Sequence, residues 1–308
     1  MRKGQGHSHG KIILMGEHSV VYGEPALAIP FPSVGITATI TPNQEELFLA
    51  CEFYQGLVSD MPELLESLHH AITISLDYLN KQDTLTIEIE STIPAERGMG
   101  SSAAVAVATV RGIFDYYKAR LSDDVLLHIV GEAEKIAHGN PSGLDALMTS
   151  RHVPYFFAKN QFMEAITLNL SAWLIVADTG ITGQTKAAVK EIANHYHIAD
   201  VQELIHQLGD LAKKAKTYIS QNKPEALGQV MTQAHGILTQ LNVSNEPLNK
   251  LVRTALQNKA LGAKLTGGGR GGCMIALAAT HSEASKIQQA LTLAGAQKTW
   301  LYQMGESL

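Results

Sequence analysis

Four short segments of the 308-residue chain combine residue types that can bind phosphate, hold a cation or move a proton. The first, PAERGMGSSAA over 94–104, lies between a strand-like and a helix-like run. Glycines let the backbone approach a polyphosphate, a helix start offers free N–H groups and partial positive charge, and Ser101 or Ser102 adds a hydroxyl able to ligate magnesium. An ordinary serine-capped turn accounts for the same residues. The second, KIILMGEHSVVYG over 11–23, opens on Lys11 and sets Glu17 and His18 at a strand's exit, a place suited to orienting a small polar substrate. A solvated Lys11 and a structural His18 are the plainer alternatives. The third, EKIAHGNPSGLDA over 134–146, puts Glu134 at a helix end and Asp145 at the next helix start, with Pro141 forcing Asn140 out of helical geometry and Ser142 three residues before the aspartate. That turn folds two carboxylates towards one cavity, unless Asp145 is only a helix-start residue favoured by the dipole. The fourth is the cluster Gly262, Gly267, Gly268, Gly269, Gly271 and Gly272, denser than one hairpin needs and suited to the close approach of another loop or a ligand.

Several other chemistries are set aside. No glycine–lysine pair has the Walker A context, and no HRD or DFG signature of a protein kinase is present. Gly267, Gly269 and Gly272 match G-x-G-x-x-G formally, but CMIALA after them reads as a strand, whereas a dinucleotide loop opens a helix. His7/His9, His69/His70 and His195/His197 lack a matching second ligand pair for a metal.

The elements that must position these segments follow from pattern. Lys11 to Met15, Ala26 to Ile29 and Gly35 to Thr41 read as strands, and LTIEIES over 85–91 alternates as a strand with one wet face. The alanine-rich, proline-free run from Ser101 predicts a helix, and DDVLLHIVGEAEKIA after Ser122 predicts a second. VPYFFAK, AITLNL and AWLIVAD predict strands, followed by long helices from Thr185 to about Gln257, then strand, glycine loop, strand, a helix over about His281 to Ala294, and a last strand. The change near residue 170 is the expected domain boundary, in keeping with ~150 residues per domain.

With 24 Lys+Arg against 29 Asp+Glu, the net charge of -5 argues against a broad nucleic-acid-binding face. Apolar residues at 45% and charged residues at 17% provide a core and leave little scope for disorder. Only Cys51 and Cys273 are present, which excludes a disulfide framework or a zinc ribbon. The run Ile12 to Met15 is too short for a signal-peptide core, and no stretch is long enough to span a bilayer. The expectation is a soluble, cytoplasmic protein with no nucleic-acid or membrane partner.

In this order and at this spacing the four segments resemble the motifs of the GHMP kinases, from Lys11 to about Leu277. GEHSVVYG and HGNPSGLD are most similar to elements of the mevalonate-phosphorylating members; galactose-specific members carry GEHxDY, and homoserine-specific ones lack the equivalents of Lys11 and of the catalytic aspartate. The resemblance implies a two-domain α+β GHMP kinase fold. Its N-terminal domain, 1–170, would be α/β of the ribosomal-protein-like kind, and its C-terminal domain, 171–308, ferredoxin-like α+β, with the active site in the cleft between them. It assigns Asp145 as the catalytic aspartate and Lys11 as the lysine that meets it and the substrate hydroxyl. Pro94, Ala95, Glu96, Arg97, Gly98, Met99, Gly100, Ser101, Ser102, Ala103 and Ala104 become the ATP-phosphate loop, and Ser102 and Glu134 the magnesium ligands. Glu17, His18 and Thr185, with Lys11 and Asp145, fall where mevalonate contacts are expected. Gly267, Gly268 and Gly269 belong to the third motif, usually KLTGAGGGG; Gly268 and Arg270 depart from it, as Glu96 and Arg97 depart from the small residues usual in the phosphate loop.

The implied reaction moves the ATP γ-phosphoryl to the 5-hydroxyl of mevalonate, giving 5-phosphomevalonate and ADP. Alignment and charge neutralisation dominate such transfers. Lys11 beside Asp145 would keep that aspartate ionised, so that it orients the hydroxyl first and accepts its proton late. The alternatives are another small-molecule kinase of the superfamily, acting on phosphomevalonate or a sugar, and a non-catalytic binding homologue. The resemblance leaves room for a homodimer.

Overall fold

A computed structural model describes residues 2–138 and 143–305. In chain order its strands and helices are β1 (Gly4–Met15), β2 (Ala26–Pro42), β3 (Phe48–Cys51), β4 (Tyr54–Leu57), α1 (Glu66–Tyr78), β5 (Leu85–Ser91), α2 (Ser101–Tyr117), α3 (Asp123–His138), α4 (Leu144–Ser150), β6 (Tyr155–Ala158), β7 (Phe162–Ala165) and β8 (Ala172–Asp178). They continue with α5 (Thr185–His195), α6 (Ala199–Ser220), α7 (Pro224–Gln240), α8 (Glu246–Gln257), β9 (Gly262–Thr266), β10 (Cys273–Ala278), α9 (His281–Leu293) and β11 (Lys298–Met304). The chain divides into two compact units of interleaved segments: unit 1 holds Met1–Lys11, Pro30–Ala95 and Gly100–His152, and unit 2 holds Ile12–Ile29, Glu96–Met99 and Val153–Leu308.

In unit 1 the alternation of β5 sends Leu85, Ile87 and Ile89 inward, and the strand pairs antiparallel with β2 from Ile36↔Ser91 to Pro42↔Leu85. Parallel β3 borders β5 on its other side, followed by β4. Helices α1, α2 and α3 close around Ala71, Val107, Val110, Phe114, Leu126, Ile129 and Val130. Helix α2 is rich in alanine because its backbone lies against β1: a Cβ on Gly6 would fall 2.0 Å from the Ala108 carbonyl oxygen. That contact also explains why β1 begins at Gly4, well before Lys11. Glycines that weaken strand propensity are what let a helix approach so closely.

Unit 2 contains a four-stranded antiparallel sheet in the order β11-β8-β10-β9. Every residue of β10 is buried, as expected of an inner strand reading as a continuous apolar run. Cys273 stands opposite both Asp178 and Thr266, so the loops leaving β8 and β9 emerge side by side. Helix α7 lies on β9 with equal closeness, since a Cβ on Gly262 would meet the Gly228 carbonyl oxygen at 1.8 Å. An Asn245 cap starts α8 and a Thr280–Glu283 capping box starts α9.

Three expectations change. Ala26 to Ile29 and Gly35 to Thr41 are parts of one strand, β2, which runs on through Pro30 and Pro32. In AITLNL, strand pairing ends at Ala165: the Ile166 amide still bonds to the Pro154 carbonyl in register, but the proline has no N–H to return, and further on the Asn169 side chain donates to the Ser220 carbonyl. The hairpin β3–β4 and helix α1 had no counterpart in the sequence pattern. Among the described residues no helix is long and apolar enough to cross a membrane.

Candidate active site

Unit 1 brings together a cation, two carboxylates and a helix start. Lys11, near the middle of β1, is buried, and its Nζ lies 3.0 Å from Asp145 Oδ1, whose side chain is 37% exposed. Asp145 sits in the first turn of α4, after Gly143 in the left-handed region at φ 70°. Glu134 is buried on α3, which continues to His138, so the carboxylate lies within the helix and not at its end. Its Oε2 has no hydrogen-bond partner among the described residues. Burial first, then the Asp145 charge, push its carboxyl up to about 8 against the opposing pull of Lys11. Gly139, Asn140, Pro141 and Ser142, the middle of the HGNPSG turn, lie outside the described residues.

The end of the phosphate-type loop joins this group. Gly100 is the N-cap of α2 at φ 76°, and a Cβ there would fall 2.9 Å from Lys11 Cγ and 3.1 Å from Thr149 Cγ2. No side chain caps α2, so neither Ser101 nor Ser102 acts as an ordinary capping serine. The first turn of a 17-residue helix thus keeps its N–H groups and partial positive charge for a ligand.

Among the described residues no cluster of three His, Cys, Asp or Glu could hold a metal unaided. A buried carboxylate with an unpartnered oxygen does fit a divalent cation whose other ligands are phosphate oxygens and water, because the cation would favour the ionised form.

Unit 2 gathers a second group. Gly16 turns the chain out of β1 at φ 93°, where a Cβ would fall 2.5 Å from Ala26 Cα. Glu17 is then 1% exposed and ion-paired with Lys264 of β9, itself fully buried. Burial pulls the Lys264 ammonium down, its pairing with Glu17 opposes this, and its Nζ also donates to the Leu265 carbonyl at 2.7 Å. His18 is pushed down to about 4 by burial. The neutral ring donates from Nε2 to the Gly268 carbonyl at 3.1 Å, which leaves Nδ1 as the bare acceptor nitrogen.

Thr185 opens α5, and a Cβ on Gly268 would fall 1.7 Å from its Oγ1. The threonine hydroxyl occupies the space that the usual alanine would need. Gly98 and Gly267 also touch, a Cβ on either falling about 3 Å from the other's Cα, so the glycine cluster serves the close approach of the loop over 96–99. Lys264 is the residue to which the sequence reading gave no role; its signals were a lysine inside the apolar strand GAKLT and its place as the first residue of the third motif.

The family described as the GHMP kinases N terminal domain matches residues 66–151, and the GHMP kinases C terminal family matches 211–297. The mevalonate kinase of Thermococcus sibiricus is 30% identical over 92% of this chain and 91% of its own, and that of Pyrococcus furiosus is 32% identical with the same coverage. The crystal structure of mevalonate kinase from methicillin-resistant Staphylococcus aureus matches with TM-score 0.76 and 34% identity, covering 99% of this chain and all of that one. The L. major mevalonate kinase in complex with R-mevalonate matches with TM-score 0.84 and 27% identity, covering 99% and 98% of the two chains.

Proposed function

From the premise that this chain belongs to the GHMP kinases, we propose that it is a mevalonate kinase, transferring the γ-phosphoryl of ATP to the 5-hydroxyl of mevalonate. The observation that carries this reading is the Lys11–Asp145 ion pair lying with buried Glu134 in the unit that begins α2 without a side-chain cap. Those groups suit charge neutralisation, alignment and proton acceptance, which are what phosphoryl transfer asks of a protein.

The N–H groups of the loop 94–104 and of the first turn of α2 bind phosphate oxygens, and the buried ammonium of Lys11 holds the Asp145 carboxylate towards the substrate hydroxyl. As the hydroxyl oxygen bonds to the γ-phosphorus and the bond to the β-phosphate oxygen breaks, the hydroxyl proton passes to Asp145. Transfer is late, once the forming P–O bond has acidified the hydroxyl, so a weakly basic carboxylate suffices. Glu134 and Ser102 would hold magnesium, which would supply charge neutralisation on the phosphates.

Glu17, His18 and Thr185 are assigned to mevalonate. The bare Nδ1 of His18 supports a hydroxyl contact, whereas the pairing of Glu17 with Lys264 supports an indirect part for that carboxylate. Small charged substrates and the need for ATP assign the enzyme to the cytoplasm.

An ADP-release assay with mevalonate, phosphomevalonate, galactose and homoserine tests the reading. Turnover of mevalonate alone is expected. No turnover of mevalonate overturns it, and ATP binding without transfer to any of the four points to a binding homologue.

A further inference from the structure

The phosphate-type loop of this chain carries an arginine, Arg97, that is already engaged by protein groups. Arg97 Nε lies 3.0 Å from Asp178 Oδ1, Nη2 donates to the Gly180 carbonyl at 3.0 Å, and Nη1 donates to Thr182 Oγ1 at 3.1 Å. Asp178, at the end of β8, is 2% exposed, so its carboxylate needs a cation beside it. The same Oδ1 accepts from the Gly180 amide at 2.9 Å. Backbone contacts join the same segments: the Gly183 amide donates to the Glu96 carbonyl at 3.0 Å and the Gly272 amide to the Ile181 carbonyl at 2.7 Å. Gly272 completes the seat, because a Cβ there would fall 3.0 Å from the Arg97 carbonyl oxygen.

We propose that Arg97 is a positioning residue for ATP, clamping the middle of the phosphate loop onto the β8–α5 connection through buried Asp178 rather than reading a phosphate itself. The inference rests on the reading of 94–104 as the ATP loop. A guanidinium fork spans a carboxylate, a carbonyl and a hydroxyl at fixed angles, which a lysine cannot reproduce. Fixing Glu96 to Met99 restricts the conformations open to Gly98 and Gly100 before a ligand arrives, and preorganisation of this kind appears as affinity.

The test is a double-mutant cycle with Arg97→Met and Asp178→Asn, read as KM for ATP, KM for mevalonate and kcat. Each single variant is expected to raise KM for ATP by about tenfold with KM for mevalonate within about twofold, and the double variant to be no worse than the worse single, since both remove one clamp. If Arg97→Met raises KM for ATP while Asp178→Asn leaves it unchanged or lowers it, or if the two effects multiply, Arg97 reads the phosphate and the proposal falls. Arg97→Lys and Thr182→Val form a milder cycle with the same two outcomes, should Asp178→Asn fail to fold.

Amide hydrogen exchange on the ligand-free protein separates this proposal from the functional reading beneath it. The Gly183 amide is expected to lose protection in Arg97→Met, and unchanged protection overturns the clamp. Direct titration of the wild-type protein with ATP tests the loop assignment independently: absence of binding removes that assignment and leaves the exchange result to report on the clamp alone.

Discussion

Two lysine–carboxylate pairs, one in each unit, use the same two functional groups to different ends. Lys11 is buried but its partner Asp145 is 37% exposed, with a second carboxylate, Glu134, close enough to feel its charge. Lys264 and Glu17 are 0% and 1% exposed, and the ammonium is also satisfied by the Leu265 carbonyl. An ion pair with one open side can exchange its partner for a substrate. A sealed pair holds β9 to the turn that follows β1, and removing one partner leaves a charge that water cannot reach. The difference bears on the proposed catalytic part of the open pair, and substitution of each pair tests it.

The largest effect is expected at the open pair. Asp145→Asn should lower kcat by roughly 10²- to 10⁴-fold, the usual worth of a positioned proton acceptor, with ATP binding nearly kept. Lys11→Met should also lose most of the rate, and because Asp145 reaches solvent its thermal stability should stay close to that of the wild type. Near-normal turnover in Asp145→Asn would remove that residue from the mechanism, and an unchanged rate in Lys11→Met would make its burial purely structural.

At the sealed pair the order of effects reverses. Lys264→Met leaves Glu17 buried without its cation and should cost about 3–5 kcal/mol in urea unfolding. The double variant Lys264→Met/Glu17→Met should recover much of that loss, because two apolar side chains avoid the stranded charge. A single variant as stable as the wild type would mean that water reaches Glu17, and the contrast between the pairs would collapse.

The surroundings of the two pairs should also respond to acid in opposite senses. His18 and His235, both near Lys264, are pushed down by burial to about 4, whereas an unfolded histidine titrates near 6.5. Below 6.5 the unfolded chain therefore binds more protons, so the stability these residues contribute is full above 6.5 and is lost as pH falls towards 4. The slope is about 1.4 kcal/mol per pH unit for each histidine. Glu134 acts the other way: its carboxyl is raised from 4.5 to about 8, so its contribution in ligand-free protein is full below 4.5 and lost as pH rises to 8. Urea unfolding of His235→Gln between pH 6 and 5 should show a slope shallower by about one proton, and an unchanged slope would exclude His235 from the acid response.

What the sequence made legible were local patterns. Helix α2 was readable from an alanine-rich, proline-free run, and β5 from strict alternation. The roles of Lys11, Glu134 and Asp145 were readable only through the resemblance to the family's motifs, since the residues alone left a solvated lysine and a helix-start aspartate open. Pairings across long sequence separations were not. Lys264 and Glu17 are 247 residues apart, and nothing local in GAKLT names the partner that allows a lysine inside a buried strand. Gly268 reads as a departure from a motif until Thr185 is found in the space of its missing Cβ. Helix α1 was legible yet missed: its buried face, Leu68, Ala71, Ile72, Ser75 and Leu76, keeps the i, i+3, i+4, i+7, i+8 spacing of an amphipathic helix, while the histidines and β-branched residues between them carry little helix preference.

The smallest effect should come from the other departure in the glycine loops. Arg270 adopts φ 54°, a left-handed conformation that costs a non-glycine residue roughly 1–2 kcal/mol. In return its Nε donates to the Asn242 carbonyl at 2.9 Å and its guanidinium pairs with Glu191, whose carboxyl this holds below the usual range. The difference from Arg97 lies in the acid each arginine meets: Asp178 is buried and depends on its cation, whereas Glu191 is 35% exposed and can turn to water. Arg270→Gly relieves the backbone strain while giving up a solvent-screened pair, and its amide can still donate to the Val243 carbonyl as Arg270 does at 2.8 Å. The two changes nearly offset, so Tm should move by no more than about 2–4 °C in either direction. A fall twice that size would show that the rim pair holds its loop as firmly as a buried one, and that exposure of the acid does not decide what an arginine in these loops contributes.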